Sequence, residues 1–103
     1  MTISIQRWDQ TQSPDARTLR GRLENEGFTV SEWTDAPGTV YENHSHPDDQ
    51  VHWIVSGKLD FEVNGEKYQL GPGDRDYLPA NTDHAAFVPG TQPVRYLIGV
   101  KSR

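Results

Sequence analysis

Hydrophobic and polar positions follow two different periods along this chain. Between Ser13 and Gly27, Ala16, Leu19 and Leu23 recur at helical spacing. Ser13 suits an N-cap, Pro14 the first helical position, Asp15 the first turn and Gly27 the C-terminal cap. This pattern predicts one helix over about residues 14–26, with Gly21 an unfavourable residue inside it. Residues 1–12 are polar apart from an alternation at Ile3 and Ile5 that suits an edge strand or a tail. From Phe28 onward the period falls to two. The clearest unit is Leu59–Val63, Asn64-Gly65 and Glu66–Leu70, since Asn-Gly between alternating strands is the preferred two-residue hairpin turn. In that register Phe61 faces Tyr68 and Leu59 faces Leu70, while Glu62 meets Lys67 on the wet side. Segments 28–34, 75–79, 83–88 and 94–100 complete a set of short strands with turn signals between them, Gly71-Pro72-Gly73 among the turns. The expectation is an all-β sandwich or barrel over residues 28–103, preceded by an extension over 1–27, within a single domain.

Composition narrows the class. Apolar residues make up 33% of the chain, so the core is small. There are no cysteines, hence no disulfide framework and no thiolate ligand. The formal charge of -5 lacks the basic footprint of nucleic-acid binding. No apolar run approaches the roughly 18 residues of a membrane span, and residues 1–10 do not read as a secretory signal. A cytoplasmic protein without nucleic-acid or membrane partners is expected.

The chemistry concentrates in the stretch from Gly38 to Gly57. Three of the four histidines, His44, His46 and His52, fall there. Residues two apart on a strand point the same way, so His44 and His46 share a face, and Gln50 and His52 have the same parity if the strand resumes after Pro47. Paired imidazoles on one face can grip a metal ion, and a later strand can bring His84 alongside. His52 can line the resulting pocket or serve as a hydrogen-bonded barrel residue. Tyr96 alternates with Val94 and Ile98 on an inward face and is a candidate for the pocket wall. Tyr41 and Asn43 have the opposite parity to His44 and are expected to face away. Asp48, Asp49, Asp74 and Asp83 read as turn or solvent residues, and Trp8 and Trp33 as packing residues.

These residues resemble the cupin superfamily. Its first motif, G-x5-H-x-H-x3-4-E-x6-G, is matched by Gly38, His44, His46 and Gly57, with Gln50 in place of the glutamate. Its second, G-x5-P-x-G-x2-H-x3-N, is matched by Gly73, Pro79 and His84, with Asn81 for the second glycine and Val88 for the asparagine. The resemblance covers about residues 38–100 and implies a jelly-roll β-barrel in which His44, His46 and His84 hold a metal, with Gln50 fourth. Asn81 keeps a left-handed turn feasible. Gln50 offers only a neutral carbonyl oxygen, directly or through a water, so the ion keeps more of its charge for an anionic ligand.

A three-imidazole site with a weak fourth ligand leaves coordination positions open, which oxygenase chemistry requires. The expectation is therefore a metal-dependent oxidoreductase, dioxygenase-like, acting on a small molecule, with His52 as its candidate catalytic residue. Iron is the first choice of ion, with manganese, nickel, copper and zinc as alternatives. A non-catalytic binding or sensing module, and a metal-dependent isomerase or lyase, are the other readings. Val51, Trp53 and Val55 make the second face of their strand apolar. That face needs cover, either from the Trp8 segment and the helix or from a second subunit. A homodimer with Trp53 at or beside the interface is expected.

Overall fold

The computed structural model describes residues 3–102; Met1, Thr2 and Arg103 lie outside the described residues. Among the described residues nine strands form two facing antiparallel sheets, accompanied by one helix. The strands are β1 (Ser4–Gln6), β2 (Thr29–Asp35), β3 (Val40–His44), β4 (Asp49–Ser56), β5 (Leu59–Val63), β6 (Glu66–Leu70), β7 (Arg75–Tyr77), β8 (His84–Phe87) and β9 (Val94–Lys101), and α1 spans Ala16–Asn25. One sheet has the order β1-β7-β4-β9-β2 and the other β3-β8-β5-β6. The expected jelly roll with one short helix is what forms. The 59–70 hairpin has the register read from its sequence, Leu59 opposite Leu70 and Phe61 opposite Tyr68. Asn64 and Gly65 both take positive φ, 51° and 82°, as this turn demands.

The helix begins later than its sequence suggested. Asp15, not Ser13, is the N-cap: it is extended, and its carboxylate accepts from both the amide and the hydroxyl of Thr18. Two bonds from one side chain outcompete the single cap that Ser13 offers, and Pro14 stays outside the helix. At the other end Gly27 has φ 95°, the Phe28 amide donates to the Leu23 carbonyl and the Gly27 amide to that of Glu24. This is a Schellman ending, with Phe28 packed near Leu23.

Two apolar clusters stabilise the fold. Ile54, Leu59, Phe61, Leu70, Val88 and Val94 fill the space between the sheets. On the outer side of the five-stranded sheet Leu19 and Leu23 of α1 pack with Phe28, Val51, Trp53 and Leu97. Trp53 is therefore buried within its own chain, 5% exposed, and its Nε1 donates to the Gly73 carbonyl at 2.8 Å. α1 and the Trp8 segment cover that strand face, so the cover comes from within the chain, one of the two sources that the sequence allowed. Trp8 packs directly over Gly73, where any Cβ would overlap the indole. Among the described residues no helix is long and apolar enough to cross a membrane.

Candidate metal centre

Adjacent strand ends deliver three imidazoles to one point. His44 closes β3, His84 opens β8, and the two are register partners; His46 sits in the loop after β3. Their free ligand atoms lie within 4.8 Å of one another. Asn81 takes φ 64° in the turn before His84, and its amide donates to the His46 carbonyl at 2.7 Å, so the two histidine-bearing loops are tied together.

Tautomers follow from the partners. His44 Nδ1 lies 2.6 Å from the Glu42 carbonyl and His84 Nδ1 2.9 Å from the Thr82 carbonyl. A carbonyl only accepts, so both Nδ1 atoms carry the proton and both Nε2 atoms keep a lone pair. Burial, reinforced by the neighbouring imidazoles, holds the His46 pKa below its ordinary value. Burial does the same at His84 and outweighs the opposing bond to Thr82. Neutral imidazoles with oriented lone pairs fit a divalent transition ion.

His52 stands on the same cavity wall, its ring centroid 6.1 Å from that of His84. Its Nδ1 lies 3.0 Å and 3.2 Å from the two oxygens of Asp76, whose side chain is fully buried. Asp76 also accepts the His52 amide at 2.8 Å and the Tyr68 hydroxyl at 3.0 Å. Burial and this carboxylate push the Tyr68 pKa up, so the phenol keeps its proton and stays a donor. With Nδ1 engaged, Nε2 is the atom His52 offers to the cavity.

A profile of the cupin domain matches residues 31–100. The chain belongs to the cupin family. It is 35% identical over 49 residues to dimethylsulfoniopropionate lyase DddQ of Ruegeria pomeroyi, a match covering 47% of this chain and 24% of that one. The crystal structure of DddQ aligns with a TM-score of 0.67 at 25% identity, over 73% of this chain and 38% of the other. This cupin thus spans well under half the length of DddQ. A cupin 2 domain-containing protein from Halorhodospira halophila aligns over 100% of this chain and 79% of its own, with a TM-score of 0.76 at 18% identity, a likeness of fold. A variant of Bacillus subtilis oxalate decarboxylase OxdC aligns at 26% identity and a TM-score of 0.64, over 73% of this chain and 22% of that one.

Around the three imidazoles the cupin encloses a cavity of about 360 Å³. Gln50 lines it from β4, its backbone paired with Leu78 at 2.9 and 2.8 Å. Tyr96 lines it from β9; Tyr41 lines it too, which corrects the outward assignment. The cause is a bulge: Tyr41 pairs with Ala86 but His44 with His84, so one extra residue in β3 puts Tyr41 and His44 on the same side. Both tyrosine hydroxyls donate to Asp35 Oδ2, at 2.9 Å from Tyr41 and 2.7 Å from Tyr96. Burial, then the Asp35 carboxylate, raises the pKa of both phenols. Trp33 is not a packing residue: it is 45% exposed and borders the cavity. Asp49 is not a solvent residue either, being buried with its Oδ1 accepting the Ala80 amide at 2.8 Å. The sequence reading missed Asp76 and Asp35. Aspartate is depleted in strands, and its presence within 75–77 was the available signal.

Proposed function

We propose that this cupin is a metal-dependent enzyme that takes a proton from the carbon skeleton of a small acid, a lyase-type reaction. The observation that carries the reading is the His52–Asp76 pair beside the three-imidazole cluster. His44, His46 and His84 would hold the ion, with Gln50 beside them. When bound, the ion supplies Lewis acidity that polarises the acid group and makes the adjacent C–H bond easier to ionise. His52 Nε2 accepts the proton, the C–H electron pair becomes a carbon–carbon double bond, and the group on the next carbon leaves with its own bonding pair. Asp76 holds the imidazole in the tautomer that can accept and stabilises the imidazolium that results. His52 then returns its proton to solvent.

The relatives named by activity are a lyase and a decarboxylase, and both names favour acid substrates. Three neutral imidazoles would serve dioxygenase chemistry as well, the expectation from sequence. That chemistry leaves the buried His52–Asp76 pair without a task, and the proton-transfer reading uses it. The test is deuterium incorporation from D₂O into a panel of small carboxylates by the metal-loaded protein, followed by proton NMR. His52→Gln should slow exchange about a hundredfold or more while metal content holds. Exchange that survives intact in His52→Gln would remove His52 from the reaction.

A further inference from the structure

β2 and β3 are consecutive in the chain but end different sheets, and no ladder joins them. Between these two edges the barrel has a seam. Ser31 and Trp33 border the cavity from the β2 side, and Tyr41 and His44 border it from the β3 side. At its turn end the seam is pinned by Asp35, which takes hydroxyl bonds from Tyr41 and Tyr96. At its other end stand the three imidazoles. Trp33, a residue 45% exposed, lies between, and its Nε1 donates to Ser31 Oγ at 2.9 Å, which fixes the indole along the strand. A large aromatic ring left half in water beside a cavity is a surface that gains from being covered.

The lining of the cavity is selective by charge. No Asp, Glu, Lys or Arg is among the residues that form it. Three neutral imidazoles and one amide cancel none of the charge of a dication, so an anionic group is drawn to the ion. Away from the histidines, Gln50 and Ser31, a ligand meets mainly aromatic and aliphatic groups, Phe61, Tyr96, Ile98 and Val100 among them. A second anionic group would be desolvated there with no Lys or Arg to meet it, and a cationic one would find only ring faces.

We infer that the seam between β2 and β3 is the substrate's entrance and that the site takes a monocarboxylate with an uncharged apolar body, Trp33 grading the size of that body. The inference rests on the metal-dependent reading above and deepens it. The ion end sets the requirement for one carboxylate. The strip from Val100 through Ile98 to Trp33 takes the tail. A cavity of about 360 Å³ is at the small end of ligand sites, so only short tails fit.

The test uses cobalt(II)-loaded protein and the sodium salts of acetate, butanoate, hexanoate and butanedioate, with dissociation constants read from the cobalt absorption bands. Affinity should rise about two- to fourfold for each added methylene until the tail fills the seam. Butanedioate should bind more weakly than butanoate. Trp33→Ser should flatten the tail dependence and leave acetate unchanged, while Trp33→Phe should keep most of it. Trp33 is on the surface, so both variants are expected to fold, and circular dichroism checks this. A flat series in the parent protein, tighter binding of butanedioate, or an unaltered series in Trp33→Ser overturns the inference while leaving the metal site standing. A 4-(trimethylammonio)butanoate that outcompetes hexanoate also overturns it, because the body would then be cationic. Failure to take up cobalt at all removes the metal reading, and this inference with it.

Discussion

An imidazole is useful to a metal only when one nitrogen is presented and the other is held. His44 and His84 meet that condition through backbone carbonyls two residues upstream, Glu42 and Thr82. The partners are local, so each ring is oriented by its own strand end and needs no distant residue. Gln50 is the position where chemistry is tunable by a single atom exchange. It borders the cavity from β4, where an amide oxygen contributes a dipole and a carboxylate would contribute a full charge. Gln50→Glu should therefore tighten the binding of a divalent ion, by about tenfold or more, since opposite charges a few ångströms apart interact strongly in a shielded site. Competition with a chromogenic chelator at neutral pH measures this. Unchanged affinity in a folded variant would place residue 50 out of reach of the ion.

Elements differ in how far their sequence alone specifies them. The 59–70 hairpin was legible in full because its register depends on two turn residues and the alternation flanking them. The bulge in β3 was not, because it exists only relative to β8, some forty residues later, and it is what turns Tyr41 inward. His44, His46 and His84 could be grouped in advance from spacing and resemblance. The His52–Asp76 contact could not, since it joins β4 to β7 across 24 positions with no motif to mark it. The helix was legible in its apolar stripe and its glycine ending but not in its first residue, where Ser13 and Asp15 compete as caps. Within α1 the weak point is Gly21. A Cβ there meets nothing within 4 Å, and the residue sits in the helix interior. Gly21→Ala should stabilise the protein by about 0.5–1 kcal/mol, since alanine has less backbone freedom to lose. The thermal midpoint should rise by a few degrees with no change in metal affinity. A lowered midpoint would mean that α1 needs the glycine for a reason its packing does not reveal.

At the scale of the whole molecule, the N-terminal segment is part of the barrel's construction. It closes the outer face of the five-stranded sheet, on which Trp53 lies, and β1 extends that sheet beyond β7. The homodimer expected from sequence loses Trp53 as its argument, because the chain covers that face itself. One carboxylate fastens segment to barrel. Asp74 Oδ1 accepts the Trp8 amide at 2.9 Å, and its Oδ2 accepts the Gly71 amide at 2.9 Å and pairs with Arg7 at 3.0 Å. Burial alone would raise the Asp74 pKa; the Gly71 and Trp8 amides together with Arg7 outweigh it and hold the carboxyl below its usual range. The sign of the linkage follows. A carboxyl whose pKa is lower in the folded state binds its proton more readily once unfolded, at about pH 3.9. Its contribution is therefore complete above that value and is lost as the pH falls through the lower, folded one. Asp74→Asn removes the charge and leaves one good acceptor where two were needed, so it should lower the urea midpoint at pH 7 and, by nearly the same amount, at pH 5. Below about pH 4 the unfolded parent takes up a proton at this carboxyl, so the stability that the charge confers falls away and the two midpoints should draw together. Tryptophan fluorescence follows the transition directly, because Trp8 and Trp53 both lie under this fastening. A gap between parent and variant that persisted undiminished at pH 3 would show that Asp74 acts there by shape and not by charge.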